Sequence, residues 1–271
     1  MRIIVNNIWS HLKTDNKKLL SILGKKYSTK LPGYQYSTNY KRSRWDGTKQ
    51  YFSPKTGKFG TGLLSHIRED LSFAGLKYEL QDDRELFELE DTEIKTLTLR
   101  DYQEQLVELA LEKRGCIVQA PTGAGKTIIL LSILKAMEGK RGLVFFTKKQ
   151  LLYQTYKELK KHGFDPGVAF GDGIDIKPLT LCTAQSVDKV VDSHLESSDF
   201  IIFDEVHEFS KGKLTTKIIK SFPGASVRIG MSATPPSEDY AKLNVVSFLG
   251  PIISEVDVLD LIDEGFLTNP I

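Results

Sequence analysis

The chain has 271 residues, 40% hydrophobic and 27% charged, enough apolar material for a sizeable core and, at this length, for two domains. Its longest apolar stretches, such as residues 128–134, fall far short of the roughly 18 residues that a membrane-spanning helix needs, and no membrane partner is expected. The net charge of +2 hides an asymmetry: residues 1–60 carry 13 Lys/Arg against 2 Asp/Glu, residues 61–95 carry 4 against 10, and residues 96–271 carry 20 against 23.

Residues 3–5 read as a strand, and no signal peptide is expected behind it. A helix over residues 16–25 follows, with Asp15 as its N-cap. A hairpin then runs through residues 49–52 and turns at Pro54-Lys55-Thr56-Gly57. A second helix is expected over residues 62–73, where Leu63, Leu64, Ile67 and Leu71 share a face; Gly75 closes it, and residues 77–80 form a short strand. Together these make a small basic α+β unit over residues 1–95, bounded by the acidic stretch 81–95. Within it Lys25, Lys26, Lys30, Lys41, Arg42, Arg44 and Lys49 interleave with Tyr27, Tyr34, Tyr36, Tyr40 and Trp45. Cations there would neutralise phosphates and exposed rings would stack on bases, which makes the unit a candidate DNA-binding surface. The alternative is that Trp45 and several tyrosines fill the core of a small domain.

From Leu99 the pattern changes. Short apolar runs at residues 116–119, 142–146, 179–182, 200–203 and 227–230 mostly lack period-two alternation, as strands buried on both faces of a parallel sheet do. Helical segments at residues 127–137 and 150–162 lie between them. Residues 96–271 are therefore expected to form an α/β domain that takes ligands at the carboxyl ends of its strands. Cys116 and Cys182 fall inside the apolar runs without metal-ligand spacing, as buried thiols of a cytoplasmic protein would.

Ala120-Pro121-Thr122-Gly123-Ala124-Gly125-Lys126-Thr127 follows a strand and opens a helix, the context of a phosphate-binding loop. Gly123 and Gly125 allow backbone N–H groups to converge on phosphate oxygens, and the start of the next helix adds partial positive charge. Lys126 would reach the β/γ-phosphates of ATP, and the Thr127 hydroxyl would ligate Mg2+. The general pattern begins with Gly, whereas this loop begins with Ala120. Farther on, the apolar run Phe200-Ile201-Ile202-Phe203 delivers Asp204 and Glu205 to a strand tip. Asp204 would hold the metal while Glu205 orients and deprotonates the attacking water.

Asp204-Glu205-Val206-His207 resembles the D-E-x-H box of superfamily 2 helicases and translocases, which gives His207 a place in the catalytic set. Leu99-Arg100-Asp101-Tyr102-Gln103 resembles the L-R-x-Y-Q adenine-recognition segment, so Arg100 and Gln103 are expected at the nucleotide. Thr147-Lys148-Lys149-Gln150-Leu151-Leu152-Tyr153-Gln154 resembles motif Ia, with Thr147 where the family usually has Pro, and Thr183-Ala184-Gln185-Ser186 resembles the T-x-Q-S segment. These imply nucleic-acid backbone contacts from Lys148, Thr183 and Gln185. Ser232-Ala233-Thr234 matches motif III, which couples the ATP and nucleic-acid sites. The resemblance covers about residues 97–271 and implies a RecA-like fold. It also implies a second RecA-like domain carrying transition-state arginines. Leu261-Ile262-Asp263-Glu264-Gly265-Phe266-Leu267 is similar to the run that leads into that domain, so the chain is expected to be a fragment with weak or no unwinding of its own.

Gly33-Tyr34-Gln35-Tyr36, Arg44-Trp45-Asp46-Gly47 and Phe59-Gly60-Thr61-Gly62-Leu63 resemble the leading domain of UvsW-type bacteriophage helicases. The implied function is an ATP-dependent DNA helicase or translocase acting on branched or forked DNA, in the host cytoplasm if the protein is a phage's. DNA contacts are expected from Lys41, Arg42, Arg44 and Trp45. A restriction-type translocase subunit and an ATP-switched DNA-binding module without unwinding are the alternatives.

Overall fold

The structure is a computed structural model, which describes residues 1–90, 97–171, 173–194, 197–211 and 213–254. The end of the acidic stretch at 91–95 and the run at 261–267 lie outside the described residues. Residues 1–90 contain β1 (Arg2–Val5), β2 (Trp9–Lys13), α1 (Lys17–Lys26), β3 (Ser28–Lys30), α2 (Thr38–Lys41), β4 (Thr48–Gln50), β5 (Lys58–Gly60), α3 (Leu64–Phe73) and β6 (Glu79–Asp82). They form a mixed sheet in the order β5-β2-β1-β6 and a separate β3–β4 ribbon.

Local chemistry accounts for several departures from the sequence expectation. The cap of α1 is Asn16, not Asp15: its side chain accepts the Leu19 N–H at 3.0 Å, and the helix starts one residue later than expected. The turn at 54–57 does bring two chain segments together, but only Phe52 and Phe59 bridge across it, while β4 pairs with β3 instead. The strand expected at residues 77–80 begins at Glu79, where it joins β1 in parallel. β2 has no clear sequence signal because Trp9-Ser10-His11-Leu12-Lys13 is largely polar and only Ser10 and Leu12 are buried.

The second part runs α4 (Asp101–Lys113), β7 (Gly115–Gln119), α5 (Lys126–Ala136), β8 (Gly142–Phe146), α6 (Lys149–Lys161), β9 (Gly167–Phe170), β10 (Gly173–Asp175) and β11 (Leu179–Thr183). It continues with α7 (Val187–His194), β12 (Phe200–Phe203), α8 (Val206–Phe209), α9 (Leu214–Ser221), β13 (Val227–Ser232), α10 (Asp239–Leu249) and β14 (Ile252–Ile253). The sheet order is β10-β9-β11-β8-β12-β13-β7-β14, parallel throughout except for β10 at one edge. This is the RecA-like layout expected of residues 96–271, with helices on both faces.

Strand alternation sorts the core into two layers. Val118, Phe146 and Ile202 face α4, α5 and α6, while Ile117, Phe145 and Phe203 face α8, α9 and α10. The second layer does not stop at the motor sheet. It continues through Phe248 and Leu249 into Phe59, Leu63, Ile3 and Val5 of the N-terminal sheet. The close approach is made by Gly60 and Gly62: a Cβ on either would lie 2.1 Å from a backbone oxygen, of Ser247 and Val246 respectively. Trp9 packs edge-on against Phe248 at 5.2 Å, and Lys49 Nζ donates to Asn244 Oδ1 at 2.6 Å. The boundary proposed at residue 95 thus separates two sheets that share one apolar layer.

Candidate active site

β7 and α5 present the loop at the carboxyl edge of the sheet. Gly123 and Gly125 have φ of +87° and +77°, values that disfavour side chains. Ala120 is tolerated at the first position because its backbone has ordinary φ and its N–H is spent on Ser232 O at 3.1 Å. Lys126 opens α5, and Thr127 beside it is exposed.

β12 brings the acidic pair to the same edge. Glu205 sits in the left-handed region at φ +51°, a strained conformation for a residue with a side chain. Its carboxylate is ion-paired with Lys126, each side chain about a fifth exposed. His207 Nδ1 lies 3.3 Å from Glu205 Oε2 and 2.8 Å from Ser232 Oγ. Ser232 Oγ in turn accepts the Thr234 N–H at 3.2 Å. A continuous polar line therefore runs Lys126–Glu205–His207–Ser232–Thr234, with Ala233 between its last two members. Burial, and next the charge of Glu205, push the Asp204 carboxyl up to about 6.

The residues fit a nucleoside triphosphate and a divalent cation. At φ +77° Gly125 holds a conformation that side chains rarely adopt, and a Cβ there would also come within 2.5 Å of Gln103 Nε2. Thr127 and Asp204 supply hard oxygen donors of the kind Mg2+ takes, and a bound cation would favour the ionised form of Asp204. Among the described residues no cluster of three or more His, Cys, Asp or Glu could hold a metal by itself. Two oxygen donors, Thr127 and Asp204, suit an ion whose remaining ligands are phosphate and water oxygens.

Gln103 is brought to the loop, though differently from expectation. Its Nε2 donates to Ala124 O at 2.9 Å and its Oε1 accepts the Arg100 N–H at 3.0 Å, so both ends of the amide are engaged. Tyr102 OH donates to the same Ala124 carbonyl at 2.9 Å. Gln103 and Tyr102 thereby brace the loop through Ala124, a role that sequence reasoning missed. Arg100 is placed beside them, its Nη1 3.2 Å from Tyr102 OH.

The nucleic-acid candidates fall on separate elements. Lys148 Nζ pairs with Glu208 Oε1 at 2.7 Å, and Thr147 Oγ1 bonds the same carboxylate. Thr147, in the place of the usual proline, thereby ties the motif Ia loop to α8. Thr183 is buried and donates to Ser186 Oγ at 3.0 Å, whereas Gln185 is exposed. Lys41, Arg44 and Trp45 gather with Tyr40 around an open hollow of about 640 Å3, and Arg42 is exposed alongside. Trp45 is half-buried, its indole N–H donating to Thr48 O at 2.8 Å, so it serves the loop as well as the surface.

A second basic hollow, of about 480 Å3, was not foreseen. Trp9, Lys49 and Tyr51 line it from the N-terminal unit, and Lys213, Lys217 and Lys220 from the motor. Lys58 lies 4.4 Å from the centre of the Trp9 ring. The one sequence signal was the lysine spacing at 213, 217 and 220. Among the described residues, no helix is long and apolar enough to cross a membrane.

Residues 96–237 match the family described as ResIII, type III restriction enzyme, res subunit. Curated relatives include the DNA 3'-5' translocase XPB2 of Sulfurisphaera tokodaii, 31% identical over 207 residues that cover 70% of this chain and 46% of that one. Another is the probable helicase D10 of Escherichia phage T5, 29% identical over 182 residues, covering 66% and 39%. The chain thus spans less than half the length of these relatives. In fold it matches the crystal structure of the UvsW helicase from Bacteriophage T4, with a TM-score of 0.75 at 19% identity over 93% of this chain and 99% of that one. The phosphate loop, the acidic box and the match over residues 96–237 together place the chain in the superfamily 2 helicases, within the family described as the type III restriction enzyme res subunit.

Proposed function

We propose that the chain is the ATP-binding part of an ATP-dependent DNA helicase or translocase that remodels branched DNA. The observation that carries this reading is the polar line from Lys126 through Glu205 and His207 to Ser232. It joins the phosphate-binding lysine to the segment that, in this family, couples ATP to nucleic acid.

A bound nucleotide with its divalent cation supplies the scissile phosphoanhydride and neutralises charge on the leaving oxygens. Lys126 exchanges Glu205 for phosphate oxygens as it binds. That exchange leaves the Glu205 carboxylate able to orient a water and accept its proton. His207 follows Glu205 and passes the change to Ser232, whose Oγ holds the Thr234 N–H. Glu208, joined to Thr147 and Lys148, carries the same movement to the motif Ia loop. Efficient turnover then awaits arginines from a second RecA-like domain, a reading supported by the greater length of the relatives.

DNA is the partner named for the S. tokodaii relative. Here the exposed Lys41, Arg42 and Arg44 and the Trp9 hollow supply positive charge beside aromatic faces on the N-terminal unit. A restriction-type translocase subunit is the second reading, favoured by the description of the matching family. ATP hydrolysis by the full-length protein should be measured with single-stranded, duplex, forked and four-way DNA. Strongest stimulation by forked or four-way DNA is expected; equal stimulation by unbranched duplex would favour the second reading, and no stimulation by any DNA would contradict both.

A further inference from the structure

At the amino edge of the motor sheet, a strand's length from the phosphate loop, a cavity of about 300 Å3 opens where the two sheets meet. Arg228 of β13, Arg114 at the end of α4, Lys113, Arg84 and Arg68 all line it, against Glu112 as the one acidic residue among those lining it. Arg84 is neutralised by Asp82 at 2.6 Å. Arg114 and Arg68 have neutral partners, the Phe87 carbonyl at 2.6 Å and the Tyr78 hydroxyl at 2.9 Å.

Arg228 is only 3% exposed, and its Nη1 donates to Asn7 O. Among the described residues its Nε and Nη2 are buried without a hydrogen-bond partner, as are Ser65 Oγ and the acceptor Asn7 Oδ1 at the same cavity. A buried guanidinium with open donors and, among the described residues, no carboxylate paired to it is costly unless something satisfies it. Water would take the donors but leave the charge. An oxyanion answers both, and a guanidinium fork matches its geometry.

We infer that this cavity binds a small oxyanion of the phosphate class, held by Arg228 and Arg114 with the Ser65 hydroxyl donating. Asn7 and Ser65 belong to the N-terminal unit and Arg114 and Arg228 to the motor sheet, so the bound anion pins the two units together. The volume admits a phosphate group but not a stacked duplex. The occupant is then free inorganic phosphate or the terminal phosphate of a nucleotide chain.

The test is isothermal titration of inorganic phosphate into the 271-residue chain carrying Lys126→Ala, which removes the lysine of the other phosphate site. One saturable phosphate per chain is expected, weakened at least tenfold by adding Arg228→Gln. Should that variant not fold by circular dichroism, Arg114→Gln, less buried, carries the same expected loss. A 5'-phosphorylated trinucleotide binding at least tenfold tighter than its 5'-hydroxyl counterpart, with Arg228 dependence, assigns the site to a strand end. Equal binding of the two trinucleotides, with phosphate binding intact, assigns it to free phosphate. No saturable phosphate in the Lys126→Ala chain, or binding unchanged by the arginine substitution, overturns the proposal.

Discussion

Glu205 clamps Lys126, and the proposed mechanism asks the same carboxylate to handle water, two uses that exclude each other. Glu205→Gln weakens the clamp and removes the base. ATP binding by this variant should be as tight as wild type or tighter, while hydrolysis by the full-length protein falls about 10²–10³-fold; stopped-flow binding and phosphate release measure the two, and wild-type turnover would remove Glu205 from the mechanism. Asp204 gives a pH signature. Its carboxyl holds a proton more tightly folded than unfolded, so its stabilisation is present below the ordinary carboxylate range and is lost as pH rises from about 4 to about 6. Asp204→Asn should therefore stabilise the nucleotide-free chain at pH 7.5 by about 1–3 kcal/mol, with the gain disappearing near pH 4. Denaturant titrations at both values check this, and a destabilised variant at pH 7.5 would show that Asp204 is held by contacts beyond those described.

At the scale of elements, the glycines at 60 and 62 decide how the N-terminal sheet meets α10. A Cβ on Gly62 would also approach Gly250 N at 2.6 Å and Leu249 N at 2.8 Å, all of it backbone that cannot rotate away. Gly62→Ala should cost about 2–4 kcal/mol. Gly75→Ala, with open space around it and only φ +66° to resist it, should cost about 1 kcal/mol. Thermal unfolding of both variants checks the contrast, and equal effects would mean that the seam yields.

Buried strands were the elements most legible in the sequence: the apolar runs at 142–146 and 200–203 became β8 and β12, because a fully buried parallel strand needs continuous hydrophobicity. β2, β9 and β10 escaped, being short, polar on one face or at an edge, where neighbours rather than side-chain pattern fix the strand. The site divided the same way. Lys126, Glu205, His207 and Ser232 could be read from short strings, whereas the Ala124 brace and the Glu208 link join residues 21 and about 60 positions apart, which no local spacing reveals.

At the scale of the whole molecule, the shared apolar layer changes how DNA binding should be tested. Removing residues 1–95 would strip Phe59, Leu63 and Trp9 from Phe248 and Leu249 and expose the core, so weaker binding would say little about charge. Replacing Lys41, Arg42 and Arg44 by Gln leaves that layer intact. Affinity for forked DNA should fall, and the slope of log K against log salt should flatten by about 0.7–0.9 for each phosphate no longer neutralised. An unchanged slope would place the DNA elsewhere, the Trp9 hollow first. The role proposed for the joined line from Lys126 to Ser232 requires that the loop at residues 120–127 take a nucleoside triphosphate. Calorimetric titration of ATP with Mg2+ into the 271-residue chain tests this most directly. One saturable site is predicted, retained in Glu205→Gln and abolished in Lys126→Ala; no binding by the wild-type chain, or binding indifferent to Lys126, would contradict it.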